Sequence, residues 1–110
     1  MANTFINRIS GSIGVTEQTV YTTPSLTTTT VIGVAVSNRL QSNISVDEKV
    51  IKSGNTQNAY LCTGSLIPPG SNIILVGGEQ KVVLETGDYL TLRSNVASSA
   101  DIIVSALEIS

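Results

Sequence analysis

Lys81-Val82-Val83-Leu84-Glu85, Thr86-Gly87-Asp88, Tyr89-Leu90-Thr91-Leu92-Arg93-Ser94 and, after a loop from Asn95 to Ala100, the long terminal run from Asp101 to Ile109 decide the fold. In the second segment Leu90 and Leu92 share one face, while Tyr89, Thr91 and Arg93 share the other. That alternation suits a strand with one buried face and one wet or partner-covered face. In the first segment Val82 and Leu84 oppose Lys81, Val83 and Glu85. Gly87 reaches positive φ without a Cβ penalty, and the Asp88 side chain can satisfy turn amides, so the two segments read as a β-hairpin. The terminal run is apolar on both faces, with Ile103, Leu107 and Ile109 on one and Ile102, Val104 and Ala106 on the other. Such a strand lies centrally in a sheet, or its second face meets another subunit; the central position is the favoured reading.

Composition extends this reading to the whole chain. Val and Ile supply 24 of 110 residues against 15 for Leu and Ala, and Thr adds 13 more β-branched side chains. No window holds a 3.6-residue apolar period. The expectation is one all-β domain, an antiparallel, jelly-roll-like sandwich of about eight short strands.

Working outward, residues 1–14 alternate Phe5, Asn7 and Ile9 against Ile6, Arg8 and Ser10, with Ile13 beyond. They read as a first strand or as an arm laid on a neighbour, the strand being favoured. Val20-Tyr21-Thr22 is a short strand stopped by Pro24. Val31 to Ser37 is a strand with small side chains (Gly33, Ala35, Ser37) on one face, where something packs close or the sheet bends. Ile44, Val46 and Val50 mark its partner, and Asp47-Glu48-Lys49 reads as edge charge that discourages stray pairing. Gln57 to Cys62 is a strand. Leu66-Ile67-Pro68-Pro69-Gly70-Ser71 is the strongest breaker, and Asn72 to Val76 is a strand closed by Gly77-Gly78.

Charged residues are 13%, while Ser, Thr, Asn and Gln number 39. The polar surface is therefore mostly neutral and cheap in entropy to immobilise, which suits contact with neighbours. Net charge is −2 and the six basic residues are scattered, so no basic stripe offers itself to nucleic acid. No apolar run approaches a membrane span, and the start Met-Ala-Asn-Thr has no signal-peptide pattern. Cys62 is alone, in an apolar run, and reads as a small buried hydrophobe. The expected setting is a reducing cytoplasm.

Residues that do chemistry do not assemble into a set. His is absent, which removes the commonest general base and transition-metal ligand. Glu85 and Asp88 flank one turn and could approach a glycosidase spacing, but turn solvation is the far stronger reading. Asp47-Glu48 lacks the further oxygens of a calcium loop. Gly77-Gly78 lacks the Lys and helix of a phosphate loop. Tyr21, Tyr60 and Tyr89 make a sugar-stacking patch only if the fold gathers them. The chain is expected to have no catalytic, cofactor or metal site.

Several stretches together resemble small virion structural proteins of tailed phages, of the marine and cyanobacterial type. They are Val20-Tyr21-Thr22-Thr23-Pro24 with a Thr-rich link into Val31-Ile32-Gly33-Val34, then Leu66 to Ser71, then Val76-Gly77-Gly78-Glu79-Gln80-Lys81 through Asp88, then Ser94 to Asp101 and Leu107-Glu108-Ile109. The resemblance spans most of residues 12–110 and implies a β-sandwich building block of the particle, without catalysis. The reading favoured is a capsid decoration or cement protein. It would work as a homo-oligomer, a trimer being favoured, assembled in the host cytoplasm and bound to the major capsid protein. A tail, baseplate or fibre component bound to tail proteins is the alternative, and a carbohydrate-binding module the third. Candidate interface residues are Phe5, Ile6, Ile9, Ile13, Tyr60, Pro68 and Pro69.

Overall fold

A computed structural model describes residues 2–77 and 81–110; Gly78 of the Gly77-Gly78 pair, and Glu79 among the acids, lie outside the described residues. The described chain forms nine strands: β1 (Asn3–Ile13), β2 (Gln18–Thr22), β3 (Thr28–Asn38), β4 (Ile44–Ile51), β5 (Asn58–Ile67), β6 (Asn72–Val76), β7 (Val82–Leu84), β8 (Tyr89–Ser94) and β9 (Ala100–Ile109). One three-residue 3₁₀ turn, Ser53–Asn55, is the only helical element among the described residues. The all-β expectation holds.

Two antiparallel sheets face each other. One runs β1-β9-β3-β6, with β7 also paired to β3; the other runs β2-β8-β4-β5. With the short β7 set aside, the eight remaining strands follow the order of a jelly roll. Their inner faces meet in one core. Val31, Val34, Val36, Leu84, Ile102 and Val104 come from the first sheet; Ile44, Val46, Leu90, Leu92 and Ile67 come from the second. Each such side chain contributes roughly 1.5–3 kcal/mol by leaving water.

The terminal strand is central, between β1 and β3, and Ile102, Val104 and Ala106 are its inward set. The hairpin across Thr86-Gly87-Asp88 is not formed. β7 pairs with β3 in one sheet, and β8 lies between β2 and β4 in the other. The turn therefore carries the chain from sheet to sheet. Gly87 has φ +84°, and a Cβ there would lie 2.6 Å from Ser53 Oγ. The buried Asp88 carboxylate accepts from the amides of Ser53 (3.0 Å) and Glu85 (2.9 Å) and from Lys52 Nζ (2.9 Å). Burial opposes its ionisation, but Lys52 and the two amides outweigh that and hold its pKa below the usual value. The turn chemistry was correctly placed; what it joins was not.

β4 is likewise not the partner of β3. It lies inside the second sheet, between β8 and β5, so Asp47-Glu48-Lys49 does not mark an edge. The hairpin of this fold is β4–β5, closed by Lys52 N donating to Gln57 O at 2.8 Å. In β3 a register shift between Val31 and Gly33 turns Val31 into the core, so Val31 does not share the face of Gly33, Ala35 and Ser37 on which strict alternation would place it. Residues 3–13 are a strand, not an arm: β1 pairs with β9 from Asn3 to Ser10.

Candidate interaction surface

Directly opposed residues of antiparallel strands point to the same face. Following the register outward from β9 gives two transverse rows on the outer face of the five-stranded sheet. One is Ile9–Ile103–Ala35–Ile74, and the other is Phe5–Leu107–Thr30–Val83. Between them lie Asn7, Ser105 and Gly33. Nothing among the described residues covers this face: Phe5 is 75% exposed, Ile9 70%, Ile74 62%, Val83 61% and Ile103 47%. The small Gly33 and Ala35 leave a shallow floor between the larger side chains. One end opens into a depression of about 450 Å³ lined by Ile9, Ala35, Ile103 and the polar Arg39, Asn72 and Asp101.

The opposite outer face has another character. On the four-stranded sheet Arg93 pairs with Asp47 at 3.0 Å, and Lys49 pairs with Glu17 at 3.2 Å. Lys49 Nζ also sits 5.3 Å from the Tyr60 ring centroid. One face thus carries ion pairs beside the exposed Tyr60 and Leu66, and the other carries two exposed apolar rows with a polar row between them. Contiguous exposed apolar patches mark contact sites, because a soluble chain otherwise covers or breaks them up.

The seven sequence candidates separate accordingly. Phe5 and Ile9 lie on the open apolar face. Ile6 is half-buried and packs against the core, and Ile13 is fully buried within it, so Ile13 is withdrawn as an interface residue. The strand alternation that sends Phe5 and Ile9 outward sends Ile6 inward. Tyr60 is exposed on β5, in the other sheet. Pro68 and Pro69 are exposed at the β5–β6 crossing, where Ser71 N donates to Pro68 O at 3.1 Å. Those three are not brought together with Phe5 and Ile9. The sequence list missed Ile74, Val83 and Ile103. The signal for Ile103 was present in the double-sided β9 pattern; Ile74 and Val83 needed the sheet order.

The tyrosines are not gathered. Tyr21 is inside the sandwich, and Tyr60 on β5 is separated from Tyr89 on β8 by β4. Glu85 and Asp88 do meet, through Lys52, which bonds them at 2.6 and 2.9 Å. Asp47 and Glu48 point to opposite faces. Asp47 accepts from Gly64 N at 2.6 Å and from Arg93, and these bonds, the Gly64 amide first, lower its pKa. Glu48 points into the core, fully buried, with neither carboxyl oxygen hydrogen-bonded. Burial pushes its pKa up to about 8. Among the described residues no three Cys, Asp or Glu side chains come together as a metal site. Cys62 is half-buried, its Sγ directed at Val46 O at 3.7 Å. Comparison with protein-family models, curated proteins and solved structures finds no match.

Proposed function

We propose that the chain is a non-enzymatic structural protein of a tailed-phage virion, a capsid decoration or cement protein that works as a homo-oligomer. The observation that carries this reading is the open apolar outer face of the five-stranded sheet. A cement protein must adhere across a broad, shallow contact, and the Phe5–Leu107 and Ile9–Ile103 rows supply such a contact without a deep pocket. The sparse charge and Ser/Thr/Asn-rich periphery suit a rim that pairs with many neighbours at low entropic cost. The jelly-roll order is common among capsid and lectin domains, and that analogy supports the reading at fold level only.

Quantitative mass spectrometry of purified particles tests it. A copy number tied to that of the major capsid protein is expected. A handful of copies per particle would move the protein to the tail, baseplate or fibre, and its absence from particles would overturn the proposal.

A further inference from the structure

The free edge of β1 points to a partner of defined chemistry. β1 is an 11-residue strand at the end of its sheet, and among the described residues no strand pairs with its far side. Natural edges of this length are usually blunted by proline, by inward-pointing charge or by a central bulge. Residues 3–10 carry no proline and no register shift, the one shift lying beyond, between Ser10 and Ile13; their single charge, Arg8, stands opposite Val104 on the core-facing side and is the one blunting device on this stretch.

The parity of the edge follows from its first pair. Ala2 and Ser110 exchange both backbone bonds, at 2.8 and 2.9 Å. The register is unbroken from there to Ser10, so the even-numbered residues turn N–H and C=O toward β9. Asn3, Phe5, Asn7 and Ile9 therefore turn theirs to the open side. The Asn7 carbonyl accepts from Arg8 Nη1 at 2.8 Å, a surface bond that a pairing strand can displace at little cost.

We propose that β1 pairs antiparallel with β1 of a second copy about a two-fold axis at Asn7, joining two five-stranded sheets into one. This goes beyond the reading of location, does not depend on it, and puts a dimer in place of the trimer favoured from sequence. In this register every outward group of residues 3–11 meets one of the same parity. Phe5 faces Ile9 of the other copy, and Ile9 faces its Phe5. The Ile9–Ile103–Ala35–Ile74 row of one copy then runs on into the Phe5–Leu107–Thr30–Val83 row of the other. Arg8 faces Ile6 across the axis. Moving the axis one residue to Arg8 would set two guanidiniums directly opposite, which is unfavourable. Moving it to Ile6 would set Phe5 against Asn7 and lose both aromatic–aliphatic pairs. The contact is isologous, so it closes at two copies and does not polymerise.

Sedimentation of the purified full chain over a dilution series tests this. The expected species is a dimer, and Asn7→Pro is expected to halve the mass, because that N–H serves only the open edge and the β1–β9 ladder keeps its bonds. An Asn7→Cys variant in a Cys62→Ser background is expected to cross-link to itself under mild oxidation. Hydrogen-bonded antiparallel pairs hold Cα atoms about 5.5 Å apart, within disulfide range. Asn3→Cys, far from the axis, is expected not to cross-link. A monomer or a trimer as the wild-type species overturns the proposal. So does a dimer that persists in Asn7→Pro, or one that leaves Asn7→Cys uncross-linked.

Discussion

The Tyr21 hydroxyl donates to Glu108 Oε2 across 2.6 Å and meets Thr29 Oγ1 at 2.8 Å, tying β2 of one sheet to β9 and β3 of the other. Burial, and then the bond to the Glu108 carboxylate, push the Tyr21 pKa up to about 12. A charge-assisted bond of this kind contributes roughly 1.5–3 kcal/mol. Tyr21→Phe is expected to lower unfolding free energy by about that amount in urea titration. In an alkaline absorbance titration it is expected to remove the transition near pH 12.

Glu48 makes the protein's stability depend on pH in an uncommon direction. Its pKa rises from 4.5 to about 8 on folding, so the folded state holds the proton more tightly. Below the unfolded pKa both states hold the proton, and the carboxyl adds no pH dependence. Stability is lost as pH rises from about 4.5 to about 8, by up to about 5 kcal/mol at 1.36 kcal/mol per unit. Glu48→Leu is expected to abolish this slope and to be more stable than wild type at pH 8. The difference between the two stability–pH curves checks it, since contributions common to both proteins cancel. A difference curve that is flat between pH 5 and 8 contradicts the assignment.

Asp88 acts with the opposite sign. Its folded pKa is depressed, so its contribution is present above its unfolded value of 3.8 and is lost as pH falls through the folded one. Asp88→Ala leaves two turn amides without their acceptor and Lys52 with Glu85 alone, at an expected cost of about 2–3 kcal/mol. Gly87→Ala, at φ +84° and against Ser53, is expected to destabilise the same sheet crossing. Thermal unfolding followed by circular dichroism reads both.

Much of this was legible in the chain, and the failures have physical causes. The apolar alternation on both sides of β9 pointed to a central place or an open second face as alternatives, with the central place favoured; the strand is central and its outer face is open as well, because the period of two is set by the backbone itself. The turn at Thr86-Gly87-Asp88 was visible, but a positive-φ glycine beside an acid serves a sheet crossing as well as a hairpin. Only non-local pairing distinguishes them. Ile44, Val46 and Val50 fixed a phase that sends Glu48 inward; its charged neighbours Asp47 and Lys49 concealed this. Exposure of Ile74 and Val83 depends on which strands stop short of them, a property of sheet order and not of any local pattern.

The outer face of the five-stranded sheet is the proposed adhesive surface. Ile74 lies at the far edge from β1 and outside the core, so Ile74→Asp tests that face without disturbing the fold or the proposed β1 pairing. The direct measurement is the number of copies retained on purified particles, for wild type and for Ile74→Asp, alongside their unfolding free energies. Unfolding free energies within about 1 kcal/mol of each other and a large loss of particle-bound copies in the variant are expected. Full occupancy by a folded Ile74→Asp protein would contradict that role for the surface.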